Sequence, residues 1–152
     1  MRTFTSAAEV EAAAGEHLGE SAWRTITQEQ VTLFADATDD HQWIHVDPKR
    51  ATAGPFGATI AHGYLTLSLL AAFSQEVIAV EGVRMSINYG LDRVRFLTPV
   101  KVGSRVRSSA DLLTATPDAA GGGLRISVRH TVEIEGAAKP ALVADSIALL
   151  FW

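Results

Sequence analysis

The stretch from Ile60 to Val80, "IAHGYLTLSLLAAFSQEVIAV", decides the fold. From Tyr64 to Val80 it holds no glycine or proline, and apolar residues fill nearly every position until Ser74-Gln75-Glu76. A helix that is hydrophobic almost all round has no solvent face and belongs inside a molecule. A run of ~15 residues at 1.5 Å each makes a rod of ~22 Å. Such a rod has to be wrapped by something.

The wrapping follows in the chain. "VRMSINYG" (83–90), "DRVRFLTPV" (92–100), "SRVRSSADLLTAT" (104–116), "GLRISVRHTVEIEG" (123–136) and "ALVADSIALLF" (141–151) alternate apolar and polar residues and carry many β-branched members. Gly82, Gly90, Pro99, Gly103, the "PDAAGGG" break at 117–123 and Gly136 punctuate them. Four or five consecutive antiparallel strands are expected. Helix and strand runs are segregated, so the class is α+β, with a curved antiparallel sheet around one long central helix. The glycine triplet 121–123 reads as a flexible hairpin loop.

Upstream, Ala7–Ala14 predicts a short helix stopped at Gly15, and Ser21–Ile26 a brief strand. Thr27 followed by Gln30 is a capping-box pattern, with Val31, Phe34 and Ala35 at helical spacing behind it. That helix should run to about Thr38. Asp47 as N-cap and Pro48 at the first helical position restart a helix through about Ala53, before the turn-rich "AGPFGAT".

With 152 residues, 47% hydrophobic and 20% charged, the chain is expected to form one domain spanning residues 1–152. A net charge of −4 gives no footprint for nucleic acid. The lack of cysteine removes disulfides, thiolate nucleophiles and cysteine-ligated metals. Glu9, Glu11 and Glu16 rule out a signal-peptide core near the start, and apolar runs fall short of the roughly 20 residues of a membrane span. A cytoplasmic protein with no membrane partner is expected.

The chemistry gathers in "TDDHQWIHVDP", Thr38 to Pro48, where three aspartates and two of the chain's five histidines surround Trp43-Ile44. His41 and His45 are four apart, as in helical zinc sites, but Gln42 stands where a zincin has glutamate and no third ligand is in sequence. No metal is expected. Asp40 and His45 suit acid–base work better: a turn could aim both at one water, which such a pair can deprotonate and reprotonate. A capped turn with a satisfied core histidine fits the same spacing, and both readings stand open. Asp36 and Asp39 are expected to face solvent.

Gly63, after His62, opens the apolar helix. Glycine lets a ligand approach the backbone, and a helix N-terminus offers unpaired N–H groups, the makings of an oxyanion hole. Ending the preceding loop is its plainer role. In "INYGLDRVRF", Arg93 and Arg95 share a strand face and could meet ligand phosphates or simply solvent. Asn88 and Tyr89 are weaker pocket candidates.

Asp-x4-His at Asp40 and His45, "HGYL" some twenty residues on, and "NYGLDRVRF" opening the strands together resemble the MaoC-like family of hot-dog folds, in particular its (R)-specific enoyl-CoA hydratases. The resemblance extends roughly from Trp23 to Leu150. It implies a homodimer that reversibly hydrates trans-2-enoyl-CoA to (R)-3-hydroxyacyl-CoA. Asp40 and His45 would be the catalytic pair, and the Gly63 N–H would hold the thioester oxygen. Gln42, His62, Asn88, Tyr89, Arg93 and Arg95 become the candidates for substrate and carrier contacts, and Leu65, Leu69 and Phe73 for the acyl tail. The family more usually has asparagine and proline where this chain has Gln42-Trp43. No cofactor is implied, since the coenzyme A thioester is itself the substrate. A dehydratase acting on acyl-carrier-protein substrates, a hot-dog thioesterase and a non-catalytic hot-dog subunit are the alternatives.

Overall fold

The computed structural model describes residues 1–119 and 121–152; Ala120, within the 117–123 break, lies outside the described residues. In chain order the elements are β1 (Arg2–Phe4), α1 (Ala7–Ala12), β2 (His17–Glu20), β3 (Arg24–Thr25), α2 (Gln28–Thr38), α3 (Trp43–Val46) and α4 (Pro48–Thr52). They continue with α5 (Gly63–Ser68), α6 (Leu70–Val77), β4 (Ile78–Val80), β5 (Met85–Phe96), β6 (Arg105–Pro117), β7 (Leu124–Ile134) and β8 (Leu142–Phe151).

Local signals place the helices around the site. Thr27 Oγ1 accepts from the Gln30 N–H at 3.2 Å, while Gln30 Oε1 accepts from the Thr27 N–H at 3.1 Å, which closes the capping box that starts α2. Asp47 Oδ1 accepts from the Arg50 N–H at 2.9 Å, with Pro48 leading α4. Ser6 caps α1, and Gly15 takes the left-handed φ of 89° just beyond it.

The four long strands and short β2 pair antiparallel in the order β2-β6-β7-β8-β5, with β3 also on β6, and curve around α5 and α6. This is the α+β hot-dog arrangement. Leu69, between α5 and α6, keeps right-handed dihedrals, and the bonds Leu69 N–H to Leu65 C=O (3.2 Å) and Phe73 N–H to Leu69 C=O (2.9 Å) carry the rod through. Thr66, Leu70, Phe73 and Val77 form its buried face. Val106, Val132, Leu142 and Ala144 of the sheet pack in the cluster that holds Leu70 and Phe73.

Three expectations change. The helix stops at Val77, and Ile78–Val80 becomes β4, parallel to β1; β-branched Ile78 and Val80 find a partner strand from the far N-terminus. Nor is the rod covered all round: Tyr64 is 68% exposed, and Ala71 and Gln75 face outward, because the sheet wraps one side only. The segments 83–90 and 92–100 contribute to a single strand, β5, in which register shifts between Asn88 and Gly90 and between Leu91 and Arg93 absorb the glycine. β2 was not anticipated.

His130 of β7 lies in the core at 1% exposure, with Nδ1 3.0 Å from Ser108 Oγ and Nε2 3.3 Å from Ser74 Oγ. Burial pushes its pKa down from 6.5 to about 4. Between those values the unfolded chain binds more protons, so the contribution is whole above 6.5 and is lost as pH falls toward 4. At 1.36 kcal/mol per pKa unit the loss is about 3 kcal/mol. Exposed His17 and His41, raised by Asp111 and Asp36, act in the opposite sense. Urea unfolding should therefore show the wild type losing stability from pH 6.5 to 4 more steeply than His130→Phe; parallel pH curves would contradict this.

Candidate active site

α2 ends at Asp39, whose left-handed φ of 57° turns the chain and sends Asp40 out at the surface. The expected loop then tightens into one helical turn, α3, with Gln42 as N-cap and its carbonyl accepting from the His45 N–H at 2.9 Å. That turn brings His45 inside, at 6% exposure. Its Nδ1 lies 2.7 Å from the Ile60 carbonyl oxygen. A carbonyl can only accept, so Nδ1 carries the proton and Nε2 keeps a free lone pair.

The turn is held from several sides. Gln28 at the start of α2 donates from Nε2 to the His45 carbonyl at 2.8 Å, and Thr59 Oγ1 donates to Gln28 Oε1 at 2.6 Å. The Ile60 N–H donates to the Ile44 carbonyl at 3.0 Å. Trp43 is fixed by the Arg50 guanidinium 4.5 Å over its ring and by Gly54, where a Cβ would stand 2.9 Å from the indole. Packing at Trp43 thus does what a fixed proline φ would do.

Opposite stands the entry to α5. His62 is 2% exposed; its Nε2 donates to the Asp40 carbonyl at 2.9 Å, and its ring stacks on His45 with centroids 3.8 Å apart and planes 26° apart. Gly63 follows as the first residue of α5, where backbone N–H groups have no intrahelical acceptor. A Cβ there would come within 3.0 Å of the Phe96 ring, so glycine keeps that approach open. His45, Gly63, Tyr64, Phe96, Leu97 and Pro99 help line a mostly apolar cavity of about 490 Å³.

Asp40, His45 and His62 each bring a ligand-capable atom within 4.8 Å of the others. By count they could meet a cation. Near-parallel rings 3.8 Å apart, however, hold their in-plane lone pairs in separate planes, and these do not converge at the 2.0–2.1 Å that zinc–imidazole bonds require. His41 is turned away, its Nε2 2.9 Å from Asp36 Oδ1, so the His41/His45 pairing is not made. Burial is the largest influence on His45 and lowers its pKa; the Ile60 carbonyl raises it, the neighbouring His62 lowers it, and Asp40 raises it.

The structure brings Asp40, His45, His62 and Gly63 together, and the remaining candidates lie apart. Gln42 is exposed and makes no side-chain cap. Asn88 faces the helix in a separate cavity with Ser74 and Ser146. Tyr89 is on the outer face, under the Arg125 guanidinium at 4.8 Å. Val94 packs on the core and Phe96 lines the cavity, so Arg93 and Arg95 point to the opposite, outer face. There Arg93 pairs across the strands with Asp145, and Arg95 donates to the Val94 carbonyl at 2.8 Å. Phe73, a candidate for the tail, is fully buried, and Leu65 and Leu69 pack against its cluster. Gln28 and Thr59 had no signal in the sequence, because their role exists only once α2 meets the turn.

A sheet curved around a helix whose N-terminus meets an aspartate–histidine pair defines a hot-dog protein of the hydratase-like kind. The chain belongs to the MaoC-like domain family, whose model matches residues 9–131. It is 59% identical over 147 residues to a Mycobacterium tuberculosis protein named 3-hydroxyacyl-thioester dehydratase Z, with 97% of each chain covered. Among solved structures it resembles a monoamine oxidase regulatory protein of Archaeoglobus fulgidus (27% identity, TM-score 0.78, 98% of this chain and 95% of that one). It is also similar to an (R)-hydratase of Pseudomonas aeruginosa (25% identity, TM-score 0.73, 90% and 81%).

His45 should titrate below 6.5 in the folded protein, since burial outweighs the help its cation would receive. Imidazole NMR across pH reads this directly, and a midpoint at or above 6.5 would contradict the packing described.

Proposed function

We propose that the protein is an (R)-specific enoyl-CoA hydratase/dehydratase, adding water reversibly to trans-2-enoyl-CoA to give (R)-3-hydroxyacyl-CoA. The observation that carries this reading is the meeting of the Asp40 carboxylate, the free Nε2 of His45 and the first N–H of the central helix at the mouth of an apolar cavity. The conjugated double bond is already electrophilic at C3, so the site has three tasks. It places one water, moves its proton and stabilises the enolate-like oxygen.

In the hydration direction the water oxygen bonds to C3 as the Asp40/His45 pair takes one of its protons. The electron pair of the double bond shifts toward the thioester oxygen, where the Gly63 N–H donates. The pair then returns a proton to C2, and its own charge state is restored. The lowered pKa keeps His45 neutral, the form able to accept a proton.

The acyl tail would follow the groove between α5 and α6 on one side and strands β5 and β8 on the other. Thr66 borders the first cavity, and Leu67, Leu70, Ala71 and Ser74 line a second of about 340 Å³, a sequence of helical steps that runs away from Gly63. A thioesterase would need a carboxylate on this helix to activate water against the carbonyl carbon. The sole carboxylate on α5 and α6 is Glu76, which sits near the far end and is occupied by the Ala22 N–H and Arg24. A non-catalytic subunit would have no use for the aspartate–histidine pair.

We also propose a homodimer. β5 ends the sheet order, and along its twelve residues the outward backbone groups have no partner strand among the described residues, beside exposed Ile87, Tyr89 and Leu91. Soluble proteins cover such edges, most simply with a two-fold copy. Light scattering at micromolar concentration should give about twice 16.2 kDa, and a fully active monomer would count against it.

Asp40→Asn and His45→Gln should each lower kcat by about two or more orders of magnitude. The double variant should be little worse than either, because both groups act on one water. Independent, few-fold losses that multiply would remove the pair from the reaction. Prolonged chelation should leave activity unchanged, whereas loss on chelation with rescue by zinc would favour a metal enzyme.

A further inference from the structure

We propose that His62 is a positioning residue for the reaction, the one side chain that ties Asp40, His45 and Gly63 into a single unit. Each tie is separately visible. The Nε2–H donates to the Asp40 carbonyl at 2.9 Å, across 22 residues of chain. The ring stacks on His45 with centroids 3.8 Å apart. The backbone is the N-cap of α5, so Gly63 is its chain neighbour. One residue therefore touches all three: its imidazole holds the Asp40 carbonyl and lies on the His45 ring, and its backbone leads into Gly63.

A plain core residue does not account for it. Nδ1 of His62 is buried with no hydrogen-bond partner among the described residues, although the side chain is 2% exposed. An unpaired buried nitrogen lowers stability. Phenylalanine would fill the same place against Phe34, whose ring is 5.0 Å away, without that penalty. What phenylalanine lacks is the donor to Asp40. Native structures keep unsatisfied polar groups where they serve some other purpose.

Stacking also affects protonation. Two imidazolium rings in contact repel, so His62 favours the neutral, proton-accepting form of His45. The titratable groups facing His45 are Asp40, from the chain just before its turn, and His62, from the entry to α5. Asp40 favours the cation and His62 opposes it. Removing His62 takes away one of the two influences that lower His45, burial being the larger, so the His45 midpoint should rise.

The kinetic side of the proposal rests on the hydration reading; the titration side does not. The test uses His62→Phe, which keeps an aromatic ring but no donor, and His62→Gln, which keeps a donor but no ring. In both, the His45 midpoint by imidazole NMR should move to higher pH. The acidic limb of kcat/KM on a trans-2-enoyl-CoA should move with it. kcat should fall about tenfold or more, with KM within about threefold, and the glutamine variant should recover part of the loss by restoring the donor to Asp40. A residue that only stabilised the fold would lower the thermal midpoint and leave the His45 titration in place. An unmoved His45 midpoint in either folded variant overturns the proposal, as does kcat within about twofold of wild type. If the wild type hydrates no enoyl thioester, the function proposed above fails, while the NMR titration still decides the role of His62.

Discussion

The hydrogen bond from His45 Nδ1 to the Ile60 carbonyl joins two segments that lie fifteen residues apart in the chain. On one side is the acidic turn after α2; on the other is the extended lead into the central helix. The bond sets the tautomer of His45, and with it the nitrogen that faces the cavity. The Ile60 N–H returning to Ile44 and the His62 donor to Asp40 run in parallel with it, so the turn is laced to the helix entry at three points. Beyond Ile60, Ala61 donates to the Val100 carbonyl at 2.8 Å and anchors the lacing to the loop after β5. The site is built on this joint.

The rest of the fold sets where that joint lies. The sheet wraps the side of α5 and α6 that carries Thr66, Leu70, Phe73 and Val77, leaves Tyr64 and Ala71 exposed on the other, and keeps cavities between the helix and the strands β5 and β8. A helix with more apolar surface than its own chain covers has room for an apolar ligand, for a second subunit, or for both. The same incompleteness recurs at β5, whose outer edge has no neighbouring strand among the described residues. On the outer face, charges answer one another across the strands: Asp111 stands opposite Arg129, Arg129 binds Asp145 through two bonds of 2.7 and 2.8 Å, and Arg93 stands opposite Asp145. Arg93 thereby stands beside a carboxylate, and both Arg93 and Arg95, which the sequence offered for phosphate, lie across the sheet from the cavity.

What the sequence made legible follows from range. Thr27 with Gln30, and Asp47 with Pro48, act within three residues, so the spacing alone predicts the caps that the structure contains. The four long strands show through their alternation, and the Asp40/His45 pair through its five-residue spacing. Interactions set by distant chain were illegible. β4 becomes a strand because β1 lies beside it, and three residues of β1 carry no pattern of their own. Gln28 clamps His45 across 17 residues. The first bulge in β5 reverses the alternation and the second restores it, so Leu91 faces inward with Asn88 and Phe96 while Arg93 and Arg95 face out, a switch that spacing alone could not show. Hydropathy could show that the central helix is apolar, but not whether the chain itself, a ligand or a second copy covers it.

The central claim is that Asp40 and His45 direct water to C3 of an enoyl thioester and not to its carbonyl carbon. Reaction of the purified protein with trans-2-enoyl-CoA in oxygen-18 water, followed by mass and chiral analysis of the products, tests it most directly. The account predicts (R)-3-hydroxyacyl-CoA with the heavy oxygen on C3 and the thioester intact. A heavy-oxygen-labelled free acid, with coenzyme A released, would contradict it and make the protein a thioesterase.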